Sequence, residues 1–190
     1  MKRTTRETDI EIELCVYGTG KFDVQTPIGM FTHLMESFAR HGMFDLKFRI
    51  TGDLKVDQHH TMEDAGLVLG KEFRNKLDRS INRAGCFVFP MDEALSVVAV
   101  DIGGRPYLQY EAEYVRRYCG ELDTDVLEDF FYGFSVGLGA NVAVRVLSGR
   151  SDHHKIESMF KGFGKAMMMA CGRIDGEIPS TKGVIDDNDY

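Results

Sequence analysis

Six histidines occur in the chain, and four of them fall in two copies of one pattern, His-His-x-x-Glu: His59-His60-Thr61-Met62-Glu63 and His153-His154-Lys155-Ile156-Glu157. On a helix, successive residues turn by about 100°. The two imidazoles of a pair therefore point apart, and the glutamate falls angularly between them. Such a pair cannot easily close on a single ion, but it can serve two ions, or one ion in each of two sites. One copy alone reads more simply as a surface pair at a helix start, because short motifs recur by chance. Two copies in matching places of a duplicated unit point instead to a dinuclear metal centre to which each half contributes imidazoles and a carboxylate. Donors of this kind, without thiolate, suit manganese, iron, nickel or zinc, and the spacing does not choose among them. Of the remaining two histidines, His33 lies on an apolar helix, where a lone histidine is most often a satisfied core residue. His41, beside Gly42, reads as a complement to a helix C-terminal dipole.

The elements that must carry these residues follow from hydrophobic period. Ile10, Ile12, Leu14 and Val16 alternate with polar residues, which predicts a half-buried strand over residues 7–17. Gly18 and Gly20 mark a turn into a second strand over 22–26. Met30, Phe31, Leu34, Met35 and Phe38 stand at helical spacing, predicting a helix over 28–41 with Gly42 as its C-cap. A strand over 44–51, a turn at Gly52-Asp53, a short strand over 54–56 and a helix over 61–77 complete the first half. The second half repeats the order. Strands are expected at 86–89, 94–101 and 107–114, a helix over 124–137 with Asp123 as N-cap, a strand over 141–147 and a helix over 155–170. Both halves thus read strand, turn, His-His-x-x-Glu, helix. This predicts a tandem duplication, 1–82 and 83–190, with helices packed on one face of mostly antiparallel sheets, an α+β class.

Composition narrows the function. With 190 residues and 43% hydrophobic content, the chain reads as an ordinary globular protein with a single shared core. A formal net charge of −7 argues against a nucleic-acid partner, since phosphate-tracking surfaces need a basic excess. No apolar run approaches the roughly 20 residues that span a bilayer. The first residues, Met1-Lys2-Arg3-Thr4-Thr5-Arg6-Glu7, lack the apolar core of a secretory signal, so the expected location is the cytoplasm. Cys15, Cys86, Cys119 and Cys171 form no C-x-x-C and are expected to be buried apolar residues.

The chain resembles the imidazoleglycerol-phosphate dehydratase family of histidine biosynthesis along nearly its whole length. In order, the resemblance is carried by Arg6-Glu7-Thr8, Ile28-Gly29-Met30-Phe31-Thr32-His33, Ala39-Arg40-His41-Gly42, Gly52-Asp53-Leu54, His59-His60-Thr61-Met62-Glu63-Asp64 and Pro90-Met91-Asp92-Glu93-Ala94-Leu95. It continues through Gly104-Arg105-Pro106-Tyr107-Leu108, Glu128-Asp129-Phe130-Phe131, His153-His154-Lys155-Ile156-Glu157, Phe160-Lys161 and Pro179-Ser180-Thr181-Lys182-Gly183. The resemblance implies a fold like the second domain of ribosomal protein S5, and a homo-oligomer of roughly 24 subunits built from trimers with active sites between subunits. It implies two Mn2+ per subunit, held by His33, His59, His60, Glu63, His153, His154 and Glu157, which overrides the core reading of His33. It also implies a small phosphorylated imidazole substrate contacted by Glu7, His33, His41, His59, Glu63, His153 and Lys161, its phosphate held by Arg83, Arg105, Ser180 and Lys182. Glu7 matches an acid that family members place in a neighbouring subunit's site.

The implied reaction removes water from imidazoleglycerol phosphate to give imidazoleacetol phosphate. The proton at C2 adjoins no carbonyl and becomes acidic only when the imidazole ring can accept its electrons as the C3 hydroxyl leaves. Metal ions at the ring nitrogens provide Lewis acidity and orientation, with Glu7 or Glu157 as general base. Three positions depart from the family's usual pattern. Ala143 stands where a further metal-binding histidine is usual, Ser37 where glutamine is usual, and Ser151 where asparagine precedes the second histidine pair. The first departure leaves one metal a protein ligand short and keeps open an alternative, a diverged non-catalytic protein assembled around structural metal. A dinuclear metallohydrolase is a third reading, against which the Pro-Ser-Thr-Lys-Gly and Gly-Arg-Pro matches speak.

Overall fold

The computed structural model describes residues 1–78 and 80–181. Two four-stranded sheets enclose a layer of four helices. The first unit contains β1 (Lys2–Thr4), β2 (Thr8–Cys15), β3 (Phe22–Gln25), α1 (Gly29–Gly42), β4 (Asp45–Gly52) and α2 (His59–Lys76). The second contains β5 (Ala84–Met91), β6 (Ala94–Asp101), β7 (Tyr107–Glu111), a small hairpin of β8 (Tyr118–Cys119) and β9 (Leu122–Asp123), α3 (Val126–Leu138), β10 (Asn141–Ser148) and α4 (Asp152–Ala170). Strand orders are β1-β2-β4-β3 and β5-β6-β10-β7, the same arrangement twice. In each sheet the last pair is parallel and the others are antiparallel. The expected duplicated α+β architecture is the one observed.

The alternation of β2 does what its period requires. Ile10, Ile12 and Leu14 face the helices, while Asp9, Glu11 and Glu13 face outward. Helices of opposite halves pack together, α1 with α4 and α2 with α3. The second pairing brings backbones into contact: a Cβ on Gly66 or Gly70 would run into the carbonyls of Phe130 or Phe134, and one on Gly133 or Gly137 into those of Glu63 or Leu67. Buried phenylalanines fill the rest of the layer, with Phe130 and Phe160 stacked at 5.4 Å and Phe38 and Phe163 at 4.6 Å. Burying each such ring contributes about 1.5–3 kcal/mol.

Several local expectations give way to tertiary contacts. Gly42 lies inside α1, where Phe44 and the Gly164 carbonyl leave no room for a side chain, and the left-handed cap is Met43 at φ 58°. Residues 54–56 form a turn rather than a strand. The N-cap position of α3 is Asp125, not Asp123, whose carboxylate instead accepts from the Asp125 N–H and from Arg117. Neither β1 nor the β8–β9 hairpin carries an alternation that would announce it. Of the cysteines only Cys171 is buried; Cys15 and Cys86 are exposed on outer sheet faces, and none is in a disulfide. Among the described residues no helix is long and apolar enough to cross a membrane.

Candidate functional site

Both histidine pairs lie in the first turn of their helices. α2 starts at His59 itself, and α4 starts one residue before His153, with the Ser151 hydroxyl accepting from the His154 N–H at 3.4 Å. The paired rings point apart, as the helical rotation requires, at centroid separations of 5.8 Å for His59 and His60 and 6.0 Å for His153 and His154. Each ring therefore has its own surroundings.

On the α1–α4 side, His33, His153 and Glu157 converge, with one donor atom from each lying within 4.8 Å of the others. Glu157 takes the Nε2 of His33 at 3.3 Å on one oxygen and the Nε2 of His153 at 3.2 Å on the other. Lys161, one turn further along α4, reaches Glu157 Oε1 at 2.9 Å. Burial pushes the Glu157 carboxyl up, but the Lys161 bond and the two imidazoles outweigh it and hold the carboxyl below its ordinary range. On the α2–α3 side, Asp129 Oδ2 stands 2.8 Å from His59 Nδ1, and Glu63 stands 3.8 Å from its Nε2.

The second histidine of each pair is held separately. His60 Nδ1 meets both oxygens of Asp53, at 3.1 and 3.3 Å, while Glu7 lies 3.9 Å from its Nε2 in the same chain. His154 Nδ1 meets Glu93 Oε2 at 2.8 Å, and Asp92 lies 3.7 Å from its Nε2. Hydrogen bonds to Asp129, Asp53 and Glu93 respectively raise the proton affinity of His59, His60 and His154 above the ordinary imidazole range. Conversely, the bond from His154 and the Ser151 N–H pull the Glu93 carboxyl down to about 2. These acids were not singled out as site residues by sequence reasoning, although each falls within a stretch that carries the family resemblance. Asp129 and Glu93 lie 70 and 61 residues from their partners, too far along the chain for spacing to reveal, and Asp53, seven residues before His60, sits in a turn outside the repeated motif.

The donor set fits a metal. It consists of imidazole nitrogens and carboxylate oxygens without thiolate, and three of the imidazoles have their second nitrogen already engaged by an acid, as metal-ligating histidines commonly do. The clusters on one chain remain separate: among the described residues no hydrogen bond, ion pair or ring contact joins the first motif to the second.

The other expected residues distribute as follows. His41 packs edge-on against Phe89 at 5.4 Å and donates from Nδ1 to the Ser37 carbonyl at 2.9 Å. Its burial lowers its proton affinity. Arg83 has a left-handed backbone, φ 69°, and its fork grips Asp101 through Nε at 2.6 Å and Nη2 at 3.0 Å. Arg105 is exposed, and its carbonyl accepts from Asn141. Since Asn141 pairs with both Asp101 and Tyr107, the two arginines share one end of the second sheet. Beside them the outer face of that sheet forms a recess lined by Cys86, Ala99, Tyr107, Asn141 and Ala143. Ser180 is half-buried in irregular chain after α4, and Lys182 lies outside the described residues.

Comparison with known proteins gives this geometry a family. The imidazoleglycerol-phosphate dehydratase family model matches residues 26–167. The chain is 47% identical over 190 residues to the imidazoleglycerol-phosphate dehydratase of Koribacter versatilis, covering 97% of each. It is 47% identical to that of Caldanaerobacter subterraneus, again covering 97% of each. Among solved structures, that of IGPD from Pyrococcus furiosus superposes with a TM-score of 0.86 at 35% identity, covering 97% of this chain and 99% of that one. The Staphylococcus aureus enzyme follows at 0.80 and 29%, covering 92% and 98%. The chain belongs to the imidazoleglycerol-phosphate dehydratase family.

Proposed function

We propose that the chain catalyses the Mn2+-dependent removal of water from imidazoleglycerol phosphate, giving imidazoleacetol phosphate in histidine biosynthesis in the cytoplasm. The observation that carries this reading is the convergence of His33, His153 and Glu157 from two helices, while the first motif opens α2 with His59 between Asp129 and Glu63. His33, His153 and Glu157 would hold one ion, and His59, His60, Glu63 and His154 offer the remaining donors. When bound, Mn2+ supplies Lewis acidity at the substrate's imidazole ring. The chain's own groups then orient the substrate and move its protons. Glu157, kept ionised by Lys161 and the imidazoles, is a base at the α1–α4 cluster, and Glu7 presents an exposed carboxylate beside His60. Arg83, Arg105, Ser180 and Lys182, with Lys161, would hold the phosphate; Asp101 already fixes the Arg83 fork, so the phosphate takes the N–H donors left over.

The His33–His153–Glu157 cluster on one chain offers only three donor groups, fewer than the roughly six that Mn2+ takes in octahedral sites. A second copy of the chain would help complete it, which supports a homo-oligomer; that it has roughly 24 subunits built from trimers is what the family resemblance implies. Within the subunit we place the junction of the two repeats near Asn82. The test is dehydration of imidazoleglycerol phosphate by the chelator-stripped chain before and after Mn2+ is restored. No turnover with restored Mn2+ would sink the reading, and full turnover without any metal would remove Mn2+ from it.

A further inference from the structure

Three of the four motif histidines meet a carboxylate at the same ring nitrogen, Nδ1. Asp129 lies 2.8 Å from Nδ1 of His59, Asp53 lies 3.1 Å from Nδ1 of His60, and Glu93 lies 2.8 Å from Nδ1 of His154. They come from unrelated places: the first turn of α3, the turn after β4 and the turn between β5 and β6. An ionised carboxylate only accepts, so Nδ1 must carry the hydrogen, and in the neutral ring the lone pair then sits on Nε2. Glu93 cannot easily be a ligand as well, because its other oxygen accepts from the Arg150 N–H at 3.3 Å and the Ser151 N–H at 2.8 Å. The remaining oxygens near these rings, from Glu63, Glu7 and Asp92, stand on the Nε2 side at 3.7–3.9 Å. Each ring is thus held at its back and open at its front. His153 differs. It turns Nε2 to Glu157, and no carboxylate meets its Nδ1 among the described residues.

We propose that Asp129, Asp53 and Glu93 are positioning residues that fix the Nδ1–H tautomer and the ring direction of His59, His60 and His154, delivering their Nε2 lone pairs to a divalent cation. The inference rests on the metal-dependent reading above. It assigns no role in the chemistry to the three acids themselves. Their contribution is to remove the wrong tautomer and the free rotation that a ligand would otherwise lose on binding.

The experiment is isothermal titration of the metal-stripped full-length chain with Mn2+, comparing the unmodified protein with Asp129→Ala, Asp129→Asn, Asp53→Ala and Asp53→Asn. Loss of such a partner lowers metal affinity by about 10–100-fold, so each alanine variant should weaken binding by that factor. Each asparagine should recover part of it, because its amide oxygen still accepts from Nδ1–H. Melting temperatures of the metal-stripped variants should stay within about 4 °C of the parent, the shift that roughly 1 kcal/mol produces in a chain of this size. Affinities unchanged to within about threefold in all four variants would overturn the positioning role while leaving Mn2+ dependence standing. Equal losses in the alanine and asparagine variants, with lowered melting temperatures, would overturn it in favour of a structural role. If the unmodified chain binds no Mn2+, both this inference and the reading beneath it fail.

Discussion

The two His-His-x-x-Glu segments open helices in equivalent places of a repeated unit, yet they meet different neighbours. The first histidine of α2 faces Asp129, from the start of the helix packed beside it, and the contact is a hydrogen bond at Nδ1. The first histidine of α4 faces His33, from the second turn of its packing partner, and the rings stack at 5.9 Å. An acid in one half stands where an imidazole stands in the other. The glutamates diverge accordingly. Glu63 is 40% exposed with one imidazole at 3.8 Å, whereas Glu157 is 9% exposed and holds two imidazoles and Lys161. Duplication thus supplies two equal backbone frames, and residues outside the motif decide what each first histidine does: His153 joins a donor cluster with His33 and Glu157, and His59 is aimed by Asp129.

The largest difference between the halves should appear at the glutamates. Glu157→Gln removes the shared partner of His33, His153 and Lys161 and leaves a mostly buried ammonium without its acid. We expect kcat/KM to fall by about 10²–10⁴-fold, the range for losing a positioned base, with a lower Mn2+ content by elemental analysis. Glu63→Gln, in a solvated position, should cost less on both readings. Equal losses at the two positions would erase the proposed distinction.

The helix pairs can be separated by overpacking. Gly66→Ala places a methyl against the Phe130 carbonyl, where two backbones touch and neither can retreat without carrying Asp129 away from His59. Destabilisation of about 1–3 kcal/mol or more is expected in urea unfolding, together with weaker metal binding. A neutral Gly66→Ala would mean that α2 and α3 pack less closely than described.

Period and spacing made much of this legible. The alternation of Ile10, Ile12 and Leu14, the helical stripe from Met30 to Phe38 and the repeated strand–turn–His-His-x-x-Glu order all act over a few residues, and local physics is enough to read them. His33 was not legible in this way. Its mid-helix setting reads as core, and only the family resemblance placed it with the metal donors, where the structure brings it beside Glu157. The acids behind the rings were hidden more deeply. Asp129 and Glu93 lie 70 and 61 residues from the histidines they hold, and nothing in a hydrophobic pattern encodes such a pairing. Met43 replaced Gly42 as the cap of α1 for a related reason: the glycine was already needed where α1 meets Phe44 and α4.

A subtler contrast lies in pH. With the Glu93 carboxyl held at about 2 against an ordinary 4.5, its contact with His154 and Ser151 is fully stabilising above 4.5 and is lost as pH falls towards about 2. The raised affinity of His154 acts in the opposite direction: its contribution is complete below 6.5 and fades as pH rises through the folded value. For the metal-stripped chain, Glu93→Gln should therefore flatten the acid limb of stability between pH 5 and 2, followed by urea unfolding at each pH. An unchanged acid limb would show that the Glu93–His154 pair does not form in solution.

The smallest expected effect concerns Ala143, and it sharpens a second contrast, between the outer faces of the two sheets. In the first sheet the equivalent strand carries Lys47, flanked in register by Glu13 and Asp23 and bonded to Glu13 at 2.6 Å. In the second, Ala143 is flanked by Ala99 and Gln109, so one face is tied by charge and the other is small and largely apolar. As its alternation implies, Ala143 points away from the core that buries Val142 and Val144, toward the recess near Arg83 and Arg105. An imidazole there would extend into the recess and away from the buried Val142 and Val144. If this position has lost a metal ligand, Ala143→His should restore one and strengthen Mn2+ binding at one site, by about tenfold if the added contact contributes about 1.4 kcal/mol. The melting temperature of the metal-free protein should not change. Titration of the stripped protein with Mn2+ tests this directly. Two equally tight sites in the unmodified chain, unaltered by the substitution, would show that another residue has already taken the ligand's place.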